Sequence, residues 1–243
     1  MGLQRVLRLI YPPQCLSCAI PVAQEGALCP ACWRDTPFIG GLVCDACGIP
    51  MPGHAQGDAV LCDDCLRVPR PWHRGRAAML YAGTARRLVL GLKHGDRLEL
   101  AGACGTWLAA AVRPILEPGM LLAPVPLHWS RLLRRRYNQS AVLAQALARR
   151  TGLEHCPDLL VRRRRTPGQG GTLTARHGNV EGALALHPRR GARAMGRAVL
   201  LVDDVMTSGA TLAAAADACL AGGATRVDVV VLARVTKRDW AQP

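Results

Sequence analysis

Eight of the first 65 residues are cysteines, and they fall into four Cys-x-x-Cys pairs: Cys15/Cys18, Cys29/Cys32, Cys44/Cys47 and Cys62/Cys65. The gaps between pairs are ten, eleven and fourteen residues. A Cys-x-x-Cys turn offers two thiolates to one tetrahedral Zn²⁺, and two such knuckles joined by a short hairpin complete a Cys₄ site. Four knuckles therefore imply two zinc ions. Four thiolates leave no open position for water, so the ions are structural and replace the apolar core that so short a module lacks. Pairing first with second and third with fourth needs only local hairpins and is the expected arrangement, although interleaved pairing also satisfies the count. A redox site would need only one such pair, and a disulfide framework would need an oxidising compartment. His54, in the last gap, reads as a surface loop residue. Of the remaining cysteines, Cys104 and Cys219 fall in apolar helical patterns and read as small core residues, while Cys156 also lacks the pair spacing.

No apolar run approaches the roughly 18 residues of a membrane span. The start, MGLQRVLRLIYPPQ, is interrupted by Arg8 and too short for a signal-peptide core. The chain is accordingly expected in the cytoplasm, with reduced thiols and no membrane insertion. Residues 1–75 carry six Arg against six Asp and Glu, so the whole net charge of +14 lies beyond them. It is nearly all arginine, since Lys93 and Lys237 are the only lysines. Arginine suits phosphate groups because its planar guanidinium binds them bidentately, although a solvated basic face has the same composition.

Beyond the Pro-rich stretch VPRPWH (68–73), which reads as a linker, strand and helix patterns alternate. RAAMLYAG reads as a strand, and TARRLVLGLKHG and LELAGACGTWLAAAVRPIL as helices divided near Gly95. MLLAPVP (120–126) reads as a short strand, and NQSAVLAQALARRTG as a helix closed by Gly152. The polar, basic segment 161–180 reads as an exposed loop. GALALH, RAVLLVDD and RVDVVVLARV read as strands, with the helix ATLAAAADACLAGG between the last two. This is the pattern of an α/β fold with a mainly parallel sheet flanked by helices. The expected division is a zinc-binding module over 1–70 and an α/β domain over 76–240.

In such a sheet, ligands bind beyond the carboxyl ends of the strands. RAVLLV runs into Asp203 and Asp204, then Thr207, Ser208, Gly209, Ala210 and Thr211 lead into a helix. Backbone N–H groups at the helix start, three hydroxyls and a glycine make a phosphate cradle. The two carboxylates would repel a phosphate, but they can accept hydrogen bonds from vicinal sugar hydroxyls or hold Mg²⁺ through water. A sugar 5-phosphate fits that combination. The same residues also read simply as a strand, a turn and a capped helix.

VLLVDDVMTSGAT (199–211) resembles the phosphoribosyl-pyrophosphate motif of type I phosphoribosyltransferases. The chain as a whole resembles the ComF family (competence protein F), in which a double zinc ribbon precedes a phosphoribosyltransferase-like domain. The likeness is carried by YPPQCLSC, the four cysteine pairs, LVLGLKHGDRLELA, APVPLHWSRLLRRRYNQSAVLAQALA, RTPGQGG and RHGNVEGAL. The resemblance implies that Asp203 and Asp204 meet the ribose hydroxyls and that Thr207 to Thr211 bind the 5-phosphate. Lys93 and Arg131 would lie toward the pyrophosphate. Arg135, Asn138 and Gln139 match a family signature in which Arg136 here stands in place of a glycine. Thr166, Gln169 and Asn179 match a flexible loop, with Arg176 set against the family's loop arginine. It further implies Mg²⁺ alongside phosphoribosyl pyrophosphate, and a part in DNA uptake during natural transformation.

Two functional classes follow. One is a phosphoribosyltransferase of unidentified acceptor, in which cationic side chains and Mg²⁺ stabilise departing pyrophosphate. The other is a protein that handles single-stranded DNA with the competence machinery, or senses the ligand, and keeps the fold as a binding module.

Overall fold

The computed structural model describes residues 11–54, 59–127, 137–163 and 182–236. Of the sequence-derived site residues, Arg131, Arg135, Gln169 and Arg176 lie outside these ranges, as do Thr166 and Asn179.

The cysteine-rich segment has little regular structure: short helices α1 (Pro30–Arg34) and α2 (Asp63–Arg67) each follow a knuckle cysteine that serves as N-cap residue. The rest is built on a five-stranded sheet. In chain order its elements are β1 (Gly75–Leu80), α3 (Gly83–His94), α4 (Leu100–Val112), β2 (Leu121–Pro124), α5 (Gln139–Thr151) and β3 (Glu154–His155). After these come β4 (Leu160–Arg162), β5 (Leu184–Leu186), β6 (Ala198–Met206), α6 (Ala210–Ala221) and β7 (Arg226–Arg234). The main sheet has the order β1-β7-β6-β2-β3, and every neighbouring pair is parallel. Because both faces are covered, β6 and β7 are apolar on successive residues rather than alternating.

Two apolar cores result. Leu200, Val202, Val230 and Leu232 pack with Leu88 and Leu92 of α3, Leu108 of α4 and Leu143 and Leu147 of α5. On the other core, Val199, Leu201, Val229 and Val231 join Leu212, Ala215 and Cys219 of α6, together with Cys44, Cys47, Cys65 and Trp72. Local signals mark the helix ends: Asn138 caps α5, its side chain accepting from Ser140 N, and Gly152 closes that helix with φ 72°.

Three expectations need amending. GALALH does not join the parallel sheet; residues 184–186 pair antiparallel with β4 in a separate two-stranded sheet. Leu160 stands opposite Leu186 and Arg162 opposite Leu184, so the backbone groups of residues 184–186 find their partners in β4 rather than in the main sheet. Val161 and Arg162, expected in the basic loop, belong instead to β4, and residues 164–180 of that expected loop lie outside the described residues. The linker is also more than a spacer, since Trp72 is buried and its indole Nε1 donates to Ala46 O at 2.6 Å.

The cysteine-rich segment is docked on the sheet. Phe38 bridges antiparallel to Met79, flanked by Ile39 N donating to Ala78 O and Leu80 N to Pro37 O, which covers the free edge of β1. Asp45 accepts from both Arg74 and Arg76, and Asp35 accepts from Thr84 and Arg87. Backbones meet so closely that a Cβ on Gly75 would lie 2.3 Å from Ala46 O, and one on Gly83 2.6 Å from Asp35 O. No helix among the described residues is long and apolar enough to cross a membrane.

Candidate functional site

The eight paired cysteines form two clusters in sequence order, Cys15/Cys18/Cys29/Cys32 and Cys44/Cys47/Cys62/Cys65, with all Sγ atoms of a cluster within 4.8 Å of one another. The interleaved alternative is excluded by this grouping. Across each cluster one thiol pair lies at 3.7 Å, Cys18 to Cys29 and Cys47 to Cys62. Sulfurs bound about 2.3 Å from a tetrahedral zinc stand about 3.8 Å apart, so the donor set fits the ion. Backbone N–H groups aim at the sulfurs as well: Cys29 N to Cys15 Sγ at 3.2 Å and Cys62 N to Cys44 Sγ at 3.3 Å. Both Cys₄ clusters are structural zinc sites. His54 is exposed and belongs to neither, and Cys104, Cys156 and Cys219 are buried in the apolar cores.

The second constellation lies at the carboxyl end of β6. The strand passes through Asp203 and Asp204 and ends at Met206 rather than at the acidic pair, so extended backbone positions both carboxylates. Asp203 accepts from Ser140 Oγ at 2.7 Å and from Asp204 N at 2.9 Å. Burial, reinforced by the neighbouring Asp204 charge, pushes its pKa up to about 7 despite those two bonds and the nearby Lys93. Asp204 pairs with Lys93 Nζ at 3.4 Å, with both side chains largely covered. Lys93 stands in the last turn of α3 and Ser140 in the first turn of α5, so two helix ends converge on the strand end. Tyr137 Oη ties these helices together by donating to Leu92 O at 2.7 Å.

After Met206 the chain turns through Thr207 and Ser208 to Gly209, whose φ of 83° is left-handed, and α6 begins at Ala210. No side chain caps that start. Its first N–H groups lack intrahelical acceptors and present partial positive charge to the carboxyl edge of the sheet. Ala210 N makes only a long contact of 3.4 Å to Ser208 Oγ. Thr207 to Thr211 therefore form a compact turn beside the carboxylate pair. Asn138 and Gln139 lie at the start of α5: Asn138 caps the helix and donates to Val125 O at 3.0 Å, and Gln139 is 1 % exposed.

Four residues at this site were not anticipated from the sequence: Ser140, Arg70, Trp72 and Arg234. Arg234 is buried at the end of β7, where its Nη1 donates to the carbonyls of Met206, Thr207 and Val235 at 3.0, 2.6 and 2.7 Å. Arg70 Nη1 donates to Ser208 O at 2.7 Å, and its guanidinium lies 5.6 Å from the Trp72 ring. A lone arginine closing the apolar strand RVDVVVLAR was the one available signal. Arg70 and Trp72 sit in a segment whose prolines suggested only a linker.

Known proteins resemble both parts of the chain. Residues 6–66 match the double zinc ribbon domain family, and residues 138–240 match the phosphoribosyl transferase domain family. The chain is 33 % identical over 234 residues to DNA utilization protein YhgH of Escherichia coli K12, covering 93 % of this chain and 99 % of that protein. It is 28 % identical over 207 residues to competence protein F of Haemophilus influenzae, covering 82 % and 87 % respectively. Among solved structures, the allosteric regulatory enzyme of purine biosynthesis is similar with 18 % identity and a TM-score of 0.40, over 59 % of this chain and 30 % of that one.

Proposed function

The chain belongs to the ComF family, and on that premise we propose that it binds phosphoribosyl pyrophosphate, or a related ribose 5-phosphate, at the carboxyl end of β6. The observation that carries this reading is the adjacency of a carboxylate pair to an uncapped helix start. Asp203 and Asp204 accept the 2- and 3-hydroxyls of the ribose. The turn from Thr207 to Thr211 receives the 5-phosphate through backbone N–H groups and hydroxyls. Lys93 is held by Asp204 at 3.4 Å in the free protein. When a ribose hydroxyl takes over Asp204, the ammonium is released to the pyrophosphate side. Mg²⁺ bound with the ligand would screen pyrophosphate charge, and the oxygens of Asp203 and Asp204 can accept hydrogen bonds from water molecules around it.

If the bound ligand reacts, the lone pair of an acceptor base forms a bond to ribose C1 while the C1–O bond breaks and pyrophosphate departs with the electron pair. Pyrophosphate release measured with a panel of bases, for the wild type against Asp203→Asn/Asp204→Asn, decides this. A signal that depends on those carboxylates is expected of an enzyme. Calorimetric binding of phosphoribosyl pyrophosphate with no release is expected of a binding module. No binding at all defeats the reading.

The relatives' names, DNA utilization protein and competence protein F, extend the proposal to DNA uptake, where the net charge of +14 suits a single strand. Affinity for single-stranded DNA should then fall with salt, with a log–log slope of about −0.7 for each phosphate neutralised. A flat slope removes direct DNA contact from the proposal.

A further inference from the structure

The phosphate turn and the second zinc cluster are connected through two arginines and the core residues they meet. Arg70 donates to Ser208 O and lies over the Trp72 ring, and Trp72 in turn packs in one core with Cys44, Cys47 and Cys65 and donates to Ala46 O between two of those cysteines. Arg234 holds the carbonyls of Met206 and Thr207, and the Met206 side chain belongs to the same core as Cys44, Cys47 and Cys65. The Nε–H groups of both arginines are buried without a hydrogen-bond partner. A Cys₄ cluster holding Zn²⁺ carries a net charge of −2, which the positive charges of half-buried Arg70 and buried Arg234 oppose.

The carbonyls these arginines hold are consecutive: Met206, Thr207 and Ser208. In a trans peptide plane, the C=O of one residue and the N–H of the next point in opposite directions. Fixing those three carbonyls toward the arginines turns the N–H groups of Thr207, Ser208 and Gly209 the other way, into a concave set of donors that suits an anion. Gly209 closes the arrangement, since a Cβ there would lie 3.0 Å from Trp72 and 3.2 Å from Arg70 Nη1.

We propose that Arg70 and Arg234 are positioning residues that make the second zinc cluster and the phosphate turn one coupled unit, the cluster fixing the amides that receive the 5-phosphate without touching the ligand. The inference rests on the phosphate assignment given under Proposed function. Coupling is reciprocal: whatever the cluster does for ligand affinity, the ligand does for the cluster.

Hydrogen–deuterium exchange on the zinc-loaded full chain tests the brace without any ligand. Arg70→Met should speed exchange of the amides of residues 207–212 by about tenfold or more, the loss of one charge-assisted hydrogen bond, while residues 227–233 of β7 stay protected and both zincs stay bound. Unchanged exchange at 207–212 overturns the proposal. If that variant loses its sheet protection, Arg70→Lys decides, because a compact ammonium cannot repeat the planar guanidinium's stacking on Trp72 while holding Ser208 O. Faster exchange at 207–212 with an intact sheet supports the brace, and wild-type exchange overturns it. A second arm follows zinc release to a chromogenic chelator with ribose 5-phosphate as probe. The probe should slow release of one zinc in the wild type and lose that effect in the Arg70 variant; bound probe with no effect on release overturns the coupling. A probe that does not bind the wild type defeats the phosphate assignment instead, and the exchange experiment still decides the brace.

Discussion

Asp203 is a residue whose local environment opposes its charge. An ordinary aspartate loses its proton near 3.8, whereas burial and the adjacent Asp204 move this group to about 7 in the folded chain. Between those values the folded state holds a proton that the unfolded state has released, so the contribution of Asp203 to stability falls as pH rises through that window. Asp203→Asn keeps an oxygen to accept from Ser140 Oγ and removes the charge. Thermal unfolding should therefore show the variant more stable than wild type at pH 8, with the advantage shrinking toward pH 5 by an amount on the order of 2 kcal/mol. The same variant should lose phosphoribosyl-ligand binding, because an amide repels neither phosphate nor metal but no longer accepts both ribose contacts as a carboxylate does. A pH-independent difference in stability would mean that Asp203 is ionised in the fold throughout. A residue kept against its own stability is the expected mark of a binding group.

At the scale of elements, the turn between β6 and α6 depends on a single backbone conformation. With φ at 83°, Gly209 sits where side chains with a Cβ are strained, and Trp72 and Arg70 occupy the space such an atom would take. Gly209→Ala should cost about 1–2 kcal/mol in denaturant unfolding and abolish ribose 5-phosphate binding; binding at wild-type affinity would show that the turn adapts. The helices and long strands were legible because their signals are local. Asn138 and Gly152 bracket α5, and Gly95 divides α3 from α4. The acidic pair and the turn were legible for the same reason, being contiguous from Asp203 to Thr211. What the chain concealed depends on partners far away in sequence. β4 pairs with β5 across more than twenty residues, β3 is only two residues long, and Arg70 meets Ser208 across 138 positions. Nothing in VPRPWH distinguishes a spacer from a segment that supplies a buried indole.

For the whole molecule, the two zinc sites differ in what surrounds them. Cys15, Cys29 and Cys32 form a small cluster of their own with Val22 and Leu28 packed against it, and Cys18 is exposed. Cys44, Cys47 and Cys65 instead belong to the same apolar core as Leu121, Val199, Leu201 and Val229. A chelator can reach the first site through local opening, whereas the second requires the core to separate from the sheet. Local openings span free energies from near zero up to the global value, so the rates should divide accordingly. Zinc release is expected in two phases of one equivalent each: a fast one that leaves the sheet amides protected, and a slow one that follows global unfolding and is accompanied by loss of the circular-dichroism signal. Because an ion bound only by the folded state stabilises it by mass action, added zinc at the slow phase should also raise the unfolding temperature of the sheet. Simultaneous release of both ions with the sheet intact would show that the second cluster is an appendage. Two phases with unfolding confined to the slow one would make the second ribbon part of the α/β core, consistent with Cys44, Cys47 and Trp72 packing against it as sheet residues do.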